Sequence, residues 1–212
     1  MNQAMILQKL RLLGTSLISD ARGGVDVIDY QIHSRTNDGH IIAGIVETVH
    51  ILQKSLDPVR SIFEKCAKMA NKNLVLVIDA SGLTGAVWGE IFTRFARKSN
   101  IIGVVIDGGV RDLAEIRKLD FPIFARYITP RVITGEWATT FAPGFELGSH
   151  VSVPIMCGGV LVRPGDYIVA DLDGVVVLRP EEINKTLEKA ENIQALEEKF
   201  LDQDAGIKRP GA

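Results

Sequence analysis

Between Leu74 and Ala125, short apolar runs alternate with segments of helical period, and this alternation constrains the fold more than any other feature of the sequence. Leu74 to Asp79 (LVLVID) is the kind of run that a parallel sheet buries on both faces. Ser81, Gly82 and Gly85 supply a turn, and a helix is expected from about Trp88 to Arg97 with Phe92, Phe95 and Ala96 on one face. A second strand, Ile101 to Ile106, ends at Asp107-Gly108-Gly109. Another helix opens near Asp112 (DLAEIRKL), and a third strand begins near Pro122 (PIFA). Strand–helix–strand–helix–strand is the pattern of an α/β protein whose parallel sheet is joined by right-handed crossovers.

The flanks read differently. Apolar residues at helical spacing predict an N-terminal helix over about residues 5–13. Val25 to Ser34 and His40 to His50 read as strands around a turn at Asn37-Asp38-Gly39. Asp57 to Ala70 reads as an amphipathic helix capped by Asp57, with Pro58 in the first helical position, where its missing N–H costs nothing. From Val151 to Leu178 the pattern is all strand, with a turn at Arg163-Pro164-Gly165-Asp166. A charged helix over about residues 181–201 has a narrow apolar stripe suited to a subunit interface. Val132 to His150 is irregular and is expected to be a loop. No repeat or linker divides the chain, so residues 1–212 are expected to form one domain.

Composition excludes several functions. A net charge of -2 leaves no basic field for nucleic acid, and no apolar run reaches the roughly 20 residues of a membrane span. Cys66 and Cys157 form no C-x-x-C pair, so buried free thiols and a cytoplasmic setting are expected. His33, His40, His50 and His150 are scattered without zinc-ligand spacing. Asp171-Leu172-Asp173-Gly174 lacks the later ligands of a calcium loop and reads as a tight turn. GVVIDGG is no dinucleotide fingerprint, Ser81 has no G-x-S-x-G setting, and no glycine-rich S-adenosylmethionine loop follows a first strand. No organic cofactor is therefore expected.

Parallel sheets place sites at the carboxyl ends of their strands. Two such ends carry reactive residues here: one leads to Gly89-Glu90-Ile91-Phe92, the other to Arg111-Asp112, each at a helix start. Helix N-termini present free N–H groups to carboxylates, and an arginine adds a bidentate fork. Asp112 and Glu90 are hard oxygen ligands of the kind Mg²⁺ or Mn²⁺ prefers. Each residue also has an ordinary reading. Asp112 and Glu115 form a D-x-x-E capping pattern, Glu90 favours a helix dipole, and Arg111 suits a surface ion pair. Spacing alone does not decide between the two.

The wider text does add to this. Trp88-Gly89-Glu90, IIGVVIDGGVRD, FPIFAR and Thr129-Pro130, followed by VPIMCGGVLVRPGDYIVADLDGVVVL and preceded by GTSLISDA, resemble the RraA-like family from about Leu13 to Pro180. The most specific element is an acidic residue, twenty intervening positions, then Arg-Asp, here Glu90 and Arg111-Asp112. Position 90 is often aspartate in that family. The family includes the 4-hydroxy-4-methyl-2-oxoglutarate/4-carboxy-4-hydroxy-2-oxoadipate aldolases, which are class II pyruvate aldolases. The resemblance implies a layered β/β/α swivelling-type domain with a central partly parallel sheet, assembled as a homotrimer or a hexamer of two trimers. It implies a divalent cation (Mg²⁺ or Mn²⁺) on Asp112, and a substrate carboxylate and keto oxygen on Arg111. The Gly89, Glu90, Ile91 and Phe92 backbone would meet the same carboxylate, and Glu90 would orient a water that serves as acid or base. Glu181 and Glu182 are candidates for the glutamate that a neighbouring subunit supplies in some members. The implied activity is cleavage of 4-hydroxy-2-oxo acids to pyruvate, with oxaloacetate decarboxylation beside it. The alternative is a non-catalytic regulator like RraA itself, which binds and inhibits RNase E.

Overall fold

The computed structural model describes residues 1–37, 39–51, 57–69, 73–133 and 150–204. In chain order it runs α1 (Gln3–Arg22), β1 (His33–Ser34), β2 (Ile42–His50), α2 (Asp57–Lys68), β3 (Leu74–Asp79), β4 (Ala86–Trp88) and α3 (Glu90–Lys98). It continues with β5 (Ile101–Val110), α4 (Leu113–Lys118), β6 (Ile123–Ile128), β7 (Ile155–Cys157), β8 (Val160–Val162), β9 (Tyr167–Asp171), β10 (Gly174–Leu178) and α5 (Ile183–Asp204).

The alternating segment gives the expected parallel centre. β2 pairs with β3, β3 with β5 and β5 with β6, all parallel. Antiparallel β9 and β10 extend the sheet beyond β2, and β1 extends it beyond β6. A bridge from Val27 to Val176 carries the chain across the remaining gap, so the sheet nearly closes on itself.

Side-chain alternation sorts the core into layers. Leu74, Leu76, Ile78, Val104 and Ile106 face outward into the cluster shared with α2, α3 and α4. Val75, Val77, Val105 and Phe124 face inward, where the separate β7–β8 hairpin covers them with Ile155, Cys157 and Val162. Ala43, Val169 and Val176 meet α1 and α5. The result is a mixed α/β fold with hairpin, sheet and helices in layers. All six β3 residues are buried, as a run apolar on both faces requires.

Val25 to Ser34 is not the strand expected. Val25 and Val27 are exposed, Asp26 adopts a left-handed φ of 57°, and apart from the Val27–Val176 bridge only His33–Ser34 pairs, with β6 rather than with β2. The segment bridges two edges of the sheet, and alternation alone cannot separate a crossing segment from a strand. α1 runs past the expected residues 5–13 to Arg22, broken at Gly14 (φ 72°, ψ 177°). The Asp57 and Pro58 side chains, Asp38 of the expected turn and residues 134–149 of the expected loop lie outside the described residues.

Candidate functional site

β5 does not stop at Asp107. It shifts register between Ile106 and Gly109, continues to Val110, and delivers Arg111 and Asp112 beside the start of α3. The Arg111 N–H donates to Trp88 O (3.0 Å), tying the two loops together. Trp88 is itself locked: it is buried, its Nε1 donates to Thr93 Oγ1 (2.9 Å), and its ring packs on Phe63, Phe92 and Phe121.

Asp112 is not the ordinary cap of its own helix. It holds a left-handed conformation (φ 60°, ψ 31°) and makes no side-chain cap to α4, and Glu115 pairs with Lys118 instead. The D-x-x-E capping reading is therefore not realised. The Asp112 carboxylate turns to the other helix, where Oδ2 accepts from the Glu90 N–H (3.2 Å). That fills the cap position Gly89 leaves without a side chain. A Cβ on Gly89 would sit 2.5 Å from Asp112 Oδ2 and 3.3 Å from Arg111 Cγ, so glycine is required for this approach.

Arg111 and Asp112 are partly open to solvent, with side chains 28% and 40% exposed and Nε–Oδ2 at 3.6 Å. Among the described residues the Arg111 guanidinium has no other partner, and Asp112 Oδ1 has none. The Ile91 and Phe92 N–H groups belong to the first turn of α3, which lacks intrahelical acceptors. Phe92 buries its ring while Ile91 is 41% exposed. The structure thus gathers Gly89, the Glu90 backbone, Ile91, Phe92, Arg111 and Asp112. The Glu90 carboxylate turns along α3, where Arg94 Nε donates to its Oε1 (2.8 Å). Arg94 escaped the sequence reading because nothing distinguishes one exposed helical arginine from another until its neighbour is known to sit at a site.

A divalent cation fits this donor set in one way only. No group of three or more His, Cys, Asp or Glu among the described residues is arranged to hold a metal. A free carboxylate oxygen on Asp112, beside an open surface, suits Mg²⁺ or Mn²⁺, which keep several waters and take one or two protein carboxylates.

A second feature also escaped the sequence reading. His50, Asp79, Asp107 and Arg126 stand toward the carboxyl ends of neighbouring parallel strands and share the inner face; His50 and Asp79 end β2 and β3, while β5 and β6 run on past Asp107 and Arg126. His50 Nε2 lies 3.3 Å from Asp79 Oδ2, and Asp79 Oδ1 accepts from the Ser81 hydroxyl (2.7 Å). Arg126 donates to Asp107 (2.6 Å), Asp29 (2.9 Å) and Gln31 (2.6 Å), while Gly158 N–H donates to Asp107 Oδ2. The Gln31 N–H and then Arg126 hold the Asp29 carboxyl below its ordinary value, and the Asp107 carboxylate holds Arg126 above its own. Cys66 and Cys157 are buried and free, as expected; burial pushes the Cys66 thiol up to about 12 and Cys157 upward too. Period-two alternation places each of these strand-end charges on the inner face, but only the register sets them side by side. A cavity of about 150 Å³ opens beside Asp107 and Arg126, and Arg111 does not line it.

Fold and site together define a layered α/β protein that presents an arginine–aspartate pair and a helix N-terminus at the carboxyl edge of a parallel sheet. Residues 15–177 match the RraA-like (Aldolase/RraA) family, and the chain belongs to it. It is 34% identical over 203 residues to a Halalkalibacterium halodurans protein provisionally named 4-hydroxy-4-methyl-2-oxoglutarate aldolase, spanning 93% of this chain and 89% of that one. The RNA-processing inhibitor RraA from Thermus thermophilis is 29% identical, with a TM-score of 0.60 across 76% of this chain and 89% of the other. RraAS2 of Streptomyces coelicolor, an unusual member of the RNase ES inhibitor RraA protein family, shares the fold at a TM-score of 0.76 and 23% identity, over 94% and 96% of the two chains. No helix among the described residues is long and apolar enough to cross a membrane.

Proposed function

We propose that the chain is a divalent-metal-dependent carbon–carbon lyase. It cleaves 4-hydroxy-2-oxo acids of the 4-hydroxy-4-methyl-2-oxoglutarate type to pyruvate and a carbonyl product, and decarboxylates oxaloacetate as a second activity. The observation that carries this reading is the Asp112 carboxylate reaching from α4 to the Glu90 N–H, which sets Arg111 beside the first turn of α3.

The Ile91 and Phe92 N–H groups and the Arg111 fork bind the C1 carboxylate, with Arg111 also reaching the C2 keto oxygen. Asp112 Oδ1 would hold Mg²⁺ or Mn²⁺, which when bound supplies Lewis-acid polarisation of a keto oxygen. The C4 hydroxyl gives up its proton to a water of the kind Glu90 would orient, and the C3–C4 bond breaks. Its electron pair then passes to C3 and the keto oxygen, where Arg111 meets the developing charge. Protonation at C3 gives pyruvate. In oxaloacetate the bond to the departing carboxylate breaks instead, releasing CO₂ through the same enolate.

Pyruvate release with Mg²⁺ tests the reading. Arg111→Ala and Asp112→Ala should each abolish turnover of oxaloacetate and of a 4-hydroxy-2-oxo acid, and EDTA should do the same reversibly. Activity like that of the unaltered chain in either variant sinks the assignment.

The open face around Arg111 and Asp112 supports a homotrimer, or a hexamer of two trimers, in which a neighbour closes the site; light scattering would read the state. Glu182 is engaged by Arg22 (2.8 Å) within its own chain, which leaves exposed Glu181 as the freer candidate for a residue offered to a neighbour. The two buried thiols are in keeping with a cytoplasmic protein. The likeness to the Thermus RNA-processing inhibitor favours a second reading, a regulator that binds RNase E through its surface. Absence of turnover together with tight RNase E binding would select it.

A further inference from the structure

Thr93 is fully buried on α3, and its hydroxyl meets two groups of opposite character. Trp88 Nε1 donates to Thr93 Oγ1 (2.9 Å), and Thr93 Oγ1 donates to Gly89 O (3.1 Å). An indole N–H can only donate and a carbonyl can only accept, so the hydroxyl proton has one place to point. A helical threonine often returns its hydroxyl to the carbonyl four residues back. Here that carbonyl belongs to Gly89, the N-cap of α3, which has no side chain of its own to restrain the turn. The Gly89 C=O and the Glu90 N–H are the two ends of one trans peptide unit, whose planarity aims them in opposite directions. Whatever holds the carbonyl therefore aims the N–H. That N–H is the one Asp112 Oδ2 accepts, at 3.2 Å. Gly89 O also accepts the helical bond from the Thr93 N–H (3.1 Å), so one residue holds it twice. The preceding peptide is tied to the same place, since Trp88 O accepts from the Arg111 N–H (3.0 Å).

We propose that Thr93 is a positioning residue for Asp112: its hydroxyl, oriented by the Trp88 indole, clamps the Gly89–Glu90 peptide and so sets where the Asp112 carboxylate rests beside Arg111. The inference rests on the lyase reading for its chemistry. Thr93 acts from within the core through one peptide plane, and it meets neither substrate nor cation.

Two pairs of chains isolate the hydroxyl. Thr93→Val against the unaltered chain keeps the side-chain shape and removes the bond. Thr93→Ala against Thr93→Ser repeats the comparison in a smaller side chain, should the valine variant fail to fold. The Glu90 amide proton, read by NMR, reports its bond to the carboxylate without any turnover. It should move upfield in Thr93→Val and Thr93→Ala, toward its position in Asp112→Ala, and stay near its unaltered position in Thr93→Ser. Pyruvate release from oxaloacetate with Mg²⁺ should fall about tenfold in kcat in Thr93→Val, while Thr93→Ser keeps most of the rate. A Glu90 amide that does not move in the hydroxyl-free variants, or full turnover in them at temperatures where they are folded, would overturn the inference while leaving the lyase reading intact. Absence of turnover in the unaltered chain would overturn the lyase reading, and the amide shift would then decide the positioning of Asp112 by itself.

Discussion

Asp112 spends conformational strain to leave its own helix. A non-glycine residue in the left-handed region costs on the order of 1 kcal/mol, and this one does not recover it by capping α4. Its carboxylate crosses instead to α3, and Gly89 makes room for it. Gly89→Ala should therefore cost turnover more than stability. The new Cβ would meet Oδ2 at 2.5 Å, so the carboxylate must shift by several tenths of an ångström. A misplacement of about 1 Å can cost about 100-fold in rate, so this smaller shift should cost on the order of tenfold. Matched kcat/KM and melting measurements would check this, and an alanine variant with full activity would remove the steric argument. The residue types at positions 90, 111 and 112 were legible in the sequence, and so was their position at helix starts. Which helix Asp112 serves was not, because the answer lies in one backbone dihedral that D-x-x-E spacing does not encode.

Elements were legible where one pattern had one meaning. The buried run of β3 and the first part of β5, Ile101 to Ile106, follow directly from composition and period, as do Phe92 and Ala96 of the α3 stripe. β5 runs on to Val110, Trp88 belongs to β4 and not to the helix, and Phe95 is exposed. α1 shows how a distant residue changes an element's length. Gly14 breaks the helix, and the chain resumes it because Asp171 accepts from the Thr15 N–H (2.8 Å) and the Thr15 hydroxyl (2.6 Å). The Asp171–Gly174 turn is thus the tight turn its sequence predicts, and it also caps the second half of α1, with Asp173 bonding Ser16. Nothing near Gly14 in sequence reveals a cap 156 positions away. Asp171→Ala removes a charged acceptor from two donors, and caps of this kind contribute about 1–2 kcal/mol. Urea unfolding should show a loss of that size, with pyruvate release unchanged at temperatures where the variant is folded. A loss below about 0.5 kcal/mol would mean that α1 holds by packing alone.

At the scale of the molecule, the near-closed sheet has one polar row, His50–Asp79–Asp107–Arg126, at the carboxyl edge of its inner face. Above it the inner face is apolar apart from Thr48, whose hydroxyl donates to Val153 O, and it is filled by the β7–β8 hairpin. Arg126 joins that edge to the segment crossing from β10 to β1 through Asp29 and Gln31, so one guanidinium stitches the seam where the sheet almost closes. Asp107 is 6% exposed and depends on this partner. Arg126→Met should destabilise the fold by about 3–5 kcal/mol, since it leaves a buried carboxylate uncompensated. Adding Asp107→Asn should restore part of that loss, because the amide needs no counter-charge. The acid side follows from Asp29, whose carboxyl is held below 3.8 by the Gln31 N–H and Arg126. A depressed folded value contributes stability that is fully present above the unfolded value and is lost as pH falls through the folded one. The unaltered chain should therefore lose part of its stability below about pH 4, and Arg126→Met should show a shallower acid limb, since part of that contribution is already gone. If chemical denaturation found the single and double variants equally unstable, the row would be held by its backbone bonds and the sheet would close without it.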